Sequence, residues 1–190
     1  MEQQPLIELS SVSLHESESK NLHDTRNFVN LIDESNVETS RGNIHVSVQG
    51  TRGKPAFVTF HDIGQNHTSA FLGFFNFHQV RPLLEHFCVY HIDAPGQEEG
   101  SPQLAPEFIY PSMVELAELV GEVVDHFGLK SFIGFGNGAG ANVLSRYALK
   151  HPERVEGLIL VNCVSTTAGW IEWGYQKVYI ISFLQNSTFS

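Results

Sequence analysis

The chain has 190 residues, 42% of them apolar, and a formal net charge of −10. That describes one globular domain with a real core, and it excludes a partner recognised through its phosphates, since no basic stripe exists to neutralise them; nucleic acid is not expected. The charge is uneven, with eight acids against Lys20 and Arg26 in residues 1–40, so residues 1–34 are expected to form an acidic, disordered arm. The opening MEQQPLIELS lacks a basic and apolar leader, and Cys88 and Cys163 have no C-x-x-C spacing, so a reducing, cytoplasmic setting is expected. The longest apolar run, residues 178–184, is far short of the ~20 residues of a bilayer span.

From Asn36 the pattern alternates. NVETS and IHVSVQG around Arg41-Gly42-Asn43 predict an antiparallel hairpin. AFVTF (residues 56–60) and FCVYHI (87–92) are compact apolar strands, and the aromatic stretch 70–86 between them predicts partial helix, with Phe71, Phe74, Phe75 and Phe77 expected mainly in the core. Residues 97–110 read as a Pro- and Gly-punctuated loop. Ser112 with Glu115 has the form of a capping box, and Met113, Leu116, Val120, Val123 and Phe127 keep a helical stripe until Gly128 ends it. A strand at 132–135, a helix over 141–150 stopped by His151-Pro152, and a last strand, EGLILVN at 156–162, complete the series. Continuous apolar strands separated by helices predict an α/β fold: a mostly parallel sheet with helices on both faces and the hairpin at its start.

In such a sheet the functional residues follow the carboxyl ends of the strands. Here they are His61, Asp62, Ile63 and Gly64, then Asp93, Pro95 and Gly96, then Gly136, Asn137, Gly138, Ala139 and Gly140. The last five have the strand-turn-helix context of the G-x-S-x-G elbow, but the apex is Gly138, which has no atom to attack a carbonyl. Two backbone donors of an oxyanion hole are still expected, the amides of Ala139 and Ile63. They could hold a small carboxylate or acyl ligand.

The order of these segments carries a resemblance. VTFHDIG resembles the His-Gly loop of α/β-hydrolases, IDAPGQEEGS their D-x-P-G-x-G-x-S segment, and KHPERVEGLILVN their stretch from elbow helix to sixth strand. Together HDIGQNH, HIDAPGQ, YPSMVELAE, GFGNGAGA, VEGLILVN and GWIEW resemble the N-myc downstream-regulated protein family over about residues 36–173. The resemblance implies an α/β-hydrolase-like fold without catalytic residues, no cofactor, and cytoplasmic signalling in growth, differentiation or stress through protein partners. Matched by position, Gly138 stands at the nucleophile and Asp62 replaces the second residue of the His-Gly pair. The family's usual chain is longer, and QKVYIISFLQNSTFS departs from its pattern. The expected organisation is therefore a partial domain over residues 35–173, truncated after the sixth strand, and a divergent tail over 174–190.

Other readings compete with this one. His61, Asp62, His91 and Asp93 would offer metal ligands if their strands are neighbours, although no H-x3-H or C-x2-C spacing supports a site and none is expected. Gly134, Gly136 and Ala139 fit G-x-G-x-x-A, but Asn162 stands where a nucleotide-binding fold places its acid. A weak hydrolase would need Ser145, Ser165 or Cys163 as an unorthodox nucleophile. The last strand is expected to be an open sheet edge unless residues 178–184 cover it.

Overall fold

The structure, a computed structural model, describes residues 32–163. Six strands form one sheet: β1 (Ile32–Thr39), β2 (Gly42–Gln49), β3 (Ala56–Phe60), β4 (Cys88–Ile92), β5 (Phe132–Asn137) and β6 (Val155–Val161), in the spatial order β1-β2-β4-β3-β5-β6. β1 and β2 are the predicted hairpin, and β2 pairs antiparallel with β4; β4, β3, β5 and β6 are parallel. β1 begins at Ile32, ahead of the expected start of the domain at residue 35. Residues 1–31 and 164–190, with the expected arm, tail and covering segment 178–184, lie outside the described residues.

β3 and β4 are buried at every position, as strands flanked and covered on both sides must be. Their alternate side chains feed two cores. Val58, Phe60, Tyr90 and Ile92 pack with the two long helices, α2 (Met113–His126) and α3 (Ala139–Lys150), in one cluster. Phe57 and Val89 point the other way, onto Phe71, Phe75 and Leu84, with Ile133 and Phe135 of β5 packed alongside.

The second face carries the partial helix expected over residues 70–86. Among the described residues it is covered by a π-helical turn, Thr68–Leu72, running into the single turn α1 (Gly73–Phe75) and followed by a 3₁₀ segment, Arg81–Glu85. The reason is aromatic: Phe71 packs edge-on to Phe135 with ring centroids 5.1 Å apart, and Phe75 meets Phe57 at 6.1 Å. Bulky rings fill the layer without a continuous helical stripe. Phe71 and Phe75 are buried, as expected of core residues, while Phe74 and Phe77 are exposed.

The chain reverses its winding at β3, with β4 on one side and β5 on the other, so the crevice opens at the carboxyl ends of these central strands. α2 is fixed by the predicted capping box: the Glu115 N–H donates to Ser112 Oγ at 3.3 Å and the Ser112 N–H to Glu115 Oε2 at 2.8 Å. The hairpin turn docks on the same helix, with Arg41 paired to Glu115 and Ser40 donating to Glu122 at 2.7 and 2.6 Å. At the far edge β6 leaves Ile159, Leu160 and Val161 exposed. Ser112→Ala should lower stability by about 1 kcal/mol, read as a shift of the urea midpoint at constant slope.

Candidate functional site

β5 ends at Asn137, Gly138 makes a one-residue turn, and α3 begins at Ala139. Gly138 has φ 54° and ψ −115°, a left-handed conformation that L side chains rarely adopt and that glycine takes without strain. Two neighbours press strand and helix together: a Cβ on Gly140 would enter the Phe60 carbonyl, and one on Gly136 would enter the Ala141 backbone. These glycines let the start of α3 lie against the ends of β3 and β5, the packing of a nucleophile elbow without a nucleophile.

The place of the absent side chain is filled from another strand. Asp62, just after β3, directs its carboxylate across the crevice, and a Cβ on Gly138 would land inside that group. Oδ1 accepts the Ile63 N–H at 2.8 Å and the Ala139 N–H at 2.8 Å. These are the two amides expected to form an oxyanion hole, at the distance such donors take from an oxyanion. Both amides are therefore already bonded to the protein's own carboxylate. Charge-assisted bonds of this kind contribute about 1.5–3 kcal/mol each, and the N-terminus of α3 favours the negative charge further.

The remaining strand-end residues tie the two loops together. The His61 Nδ1–H donates to the Asp62 carbonyl at 2.8 Å, and Nε2 accepts the Ala94 N–H at 2.9 Å, so this imidazole is held in its neutral form. Its burial lowers its pKa to the same effect. The Gly64 N–H donates to Gln97 Oε1 at 3.0 Å, and Gln97 Nε2 donates to Tyr110 Oη at 2.8 Å. Pro95 is buried and Gly96 adopts φ 69° in the same turn. Asn137 Nδ2 donates to Gln65 Oε1 at 3.3 Å. Beside Asp62 lies a cleft of about 370 Å³ walled by Phe60, Ile63, Tyr110, Met113 and Leu116.

Beneath this surface lies a carboxylate surrounded by histidines. Asp93 is fully buried; its Oδ1 accepts the His67 N–H at 2.6 Å, and its Oδ2 accepts Nδ1–H bonds from His67 at 2.7 Å and His45 at 2.9 Å. Burial alone would raise the Asp93 pKa, but the His67 bonds and charge hold it below the ordinary value. Burial likewise draws His67 down, and its hydrogen bond and attraction to Asp93 outweigh this and leave it raised. His91 is walled off from solvent and pushed down to about 3, by burial first and then by repulsion from His67. The Thr59 hydroxyl at 2.8 Å meets His91 Nδ1, and Nε2 faces Gln49 Oε1 at 3.3 Å.

The four metal-ligand candidates read from the sequence do not converge. His61 Nε2 lies 3.6 Å from Asp93 Oδ1 but accepts the Ala94 N–H, His91 faces Thr59 and Gln49, and Asp62 is held on the amides, so of the four only Asp93 belongs to a cluster with ligand atoms close together. His45 and His67 were not singled out. His45 reaches Asp93 because β2 pairs with β4, with Val46 opposite Ile92, and no local pattern announces that pairing. The nucleotide motif fares no better, since Ala139, which opens α3, already gives its amide to an anion. Ser145 donates to the Ala141 carbonyl at 2.7 Å within α3, with Cys163 Sγ 3.9 Å from its oxygen, and neither lines the cleft. Ser165 lies outside the described residues.

A six-stranded sheet in this strand order with a sharp strand-to-helix turn after β5 defines the α/β-hydrolase fold, and solved structures agree. A hydrolase from Pseudomonas aeruginosa PA01 is similar with a TM-score of 0.59 at 24% identity, covering 78% of this chain and 53% of its own. Carboxylesterase CesB from Bacillus subtilis gives a TM-score of 0.60 at 17% identity, covering 86% and 55%. Within that fold the chain belongs to the Ndr family, whose sequence model matches residues 34–190. It is 50% identical over 147 residues to protein NDRG3 of Xenopus tropicalis and 44% identical to protein NDRG1 of the same species, covering 76% of this chain in each case. The chain spans only 38% and 37% of those relatives.

Gly138→Ser should lower stability by several kcal/mol, because it combines a strained backbone conformation with expulsion of the Asp62 carboxylate; Asp62→Gly in the same chain should recover part of the loss in a urea titration. Acid stability follows the histidines. His91 titrates near 6.5 when unfolded and about 3 when folded, so its contribution is level above pH 6.5 and declines below it by up to ~1.4 kcal/mol per pH unit. His67 has the opposite sign: its contribution is complete below 6.5 and disappears as pH rises through its raised folded pKa. The Asp93 contribution persists above the unfolded value of 3.8 and fades as pH falls through its lowered folded pKa. Denaturant midpoints between pH 7 and 4 should fall steeply in the parent and less steeply in His91→Leu.

Proposed function

We propose that this chain is a non-enzymatic, cytoplasmic adaptor of the N-myc downstream-regulated type, acting through protein partners in growth, differentiation or stress signalling. One observation carries the non-catalytic part: Asp62 Oδ1 sits 2.8 Å from both hole amides at the apex where Gly138 offers no nucleophile. A substrate carbonyl oxygen would have to displace a carboxylate from its two donors, and would then meet no attacking atom. Kinship with proteins NDRG3 and NDRG1 supports the signalling part. Two free cysteines agree with a reducing compartment, and among the described residues no helix is long and apolar enough to cross a membrane.

A small acyl or carboxylate ligand in the crevice is the secondary reading, favoured by the apolar cleft of about 370 Å³ beside Asp62. An anionic headgroup would face the Asp62 charge, so a neutral acyl group suits the cleft better.

Activated p-nitrophenyl esters test the catalytic claim. The purified chain should give neither a burst nor saturable turnover, and Cys163→Ala should change nothing. Saturable cleavage by a rigorously purified chain would overturn the reading. The adaptor claim is tested by crosslinking the intact chain in cytosolic extract, where a saturable protein complex is expected and its absence would count against it.

A further inference from the structure

The Asp93 cluster contains an arrangement that neither the hydrolase fold nor an adaptor role requires. His45 from β2, His67 from the segment entering the π-helical turn, and Asp93 at the end of β4 each offer one ligand atom, all within 4.8 Å of one another. We propose that His45 Nδ1, His67 Nδ1 and Asp93 Oδ2 bind a divalent first-row transition metal ion, zinc being the best match.

Donor type comes first. Two imidazoles and a carboxylate suit zinc and its neighbours and are unsuited to calcium or magnesium, which take all-oxygen sets. Spacing comes next. Nδ1 of His67 and of His45 lie 2.7 and 2.9 Å from Oδ2, whereas ligand atoms around a tetrahedral ion with bonds of ~2.0 Å stand about 3.3 Å apart. These two pairs need to open by only a few tenths of an ångström, and the two imidazoles stand within 4.8 Å of each other.

The far end of each ligand is the strongest argument. His45 Nε2 lies 3.0 Å from Glu34 Oε2, His67 Nε2 lies 3.4 Å from Thr68 Oγ1, and Asp93 Oδ1 accepts the His67 N–H at 2.6 Å. A neutral imidazole can therefore shift its proton from Nδ1 to Nε2, where an acceptor already waits, and turn its Nδ1 lone pair toward the ion. Carboxylate or hydroxyl partners behind ligating histidines are the usual means of fixing tautomer and ring orientation. The ion would neutralise a buried charge that two hydrogen-bonded histidines only share. Three protein ligands leave a fourth position open, and the His45 side chain, 19% exposed, gives the approach from solvent.

The test uses the full chain stripped with a chelator. Addition of Co²⁺ should produce d–d absorption in the visible range, and Zn²⁺ titrated by calorimetry should bind as one equivalent and displace the cobalt signal. His45→Ala should weaken zinc binding at least tenfold. Glu34→Gln, which touches no metal, should weaken it by about 10–100-fold through loss of His45 orientation, while the distant His126→Ala should leave it unchanged. Circular dichroism of each variant separates lost binding from lost fold. Failure of cobalt to develop d–d bands with the parent chain, or zinc binding that survives His45→Ala in a folded protein, would overturn the proposal; the second result would place the ion on other histidines.

Discussion

Two backbone amides and one carboxylate oxygen organise the crevice. The N–H groups of Ile63 and Ala139 come from different strand ends and converge on Asp62 Oδ1, so the start of α3 and the loop after β3 are joined through a single anion. In a hydrolase that position is kept empty for charge that develops during reaction. Here the charge is permanent and supplied by the chain. Gly138 is the complement of this arrangement, because any Cβ there would occupy the carboxylate's volume. A side chain at residue 138 and the Asp62 carboxylate in its present position therefore exclude each other.

The layers below have a compatible electrostatic logic. Asp62 faces the crevice and accepts from two amides, while Asp93 lies deeper and accepts from His67 and His45. Between them His61 bridges the two loops as an uncharged imidazole, donating to the Asp62 carbonyl and accepting from Ala94. Asp93 and His61 each have hydrogen-bond partners, which lets a buried carboxylate sit in a largely apolar sheet end. The aromatic layer of Phe71, Phe75 and Phe135 closes the other face.

Much of the scaffold was legible in the sequence because it is written locally. AFVTF forms a strand over the residues expected, the Ser112–Glu115 capping box starts α2, and the glycine-dense run after β5 makes the elbow turn. The helical segment between β3 and β4 was less legible, since irregular aromatic spacing satisfies a π-turn, an α-turn and a 3₁₀ turn in succession. The site was legible in its parts only. The Ile63 and Ala139 amides could be singled out from the motif order, but their acceptor could not: Asp62 reaches Ala139 across the fold through a rotamer that no spacing rule encodes. His45 and His67 are a second instance, brought to Asp93 by antiparallel pairing of β2 with β4.

The central claim is that the hole amides are closed by Asp62 in solution. Amide hydrogen exchange at Ile63 and Ala139, measured by NMR in the parent chain and in Asp62→Gly, addresses it directly. The account predicts strong protection of both amides in the parent, lost together in the variant while the β3 and β5 amides stay protected. Rapid exchange of Ile63 and Ala139 in the parent, with the surrounding sheet protected, would contradict it.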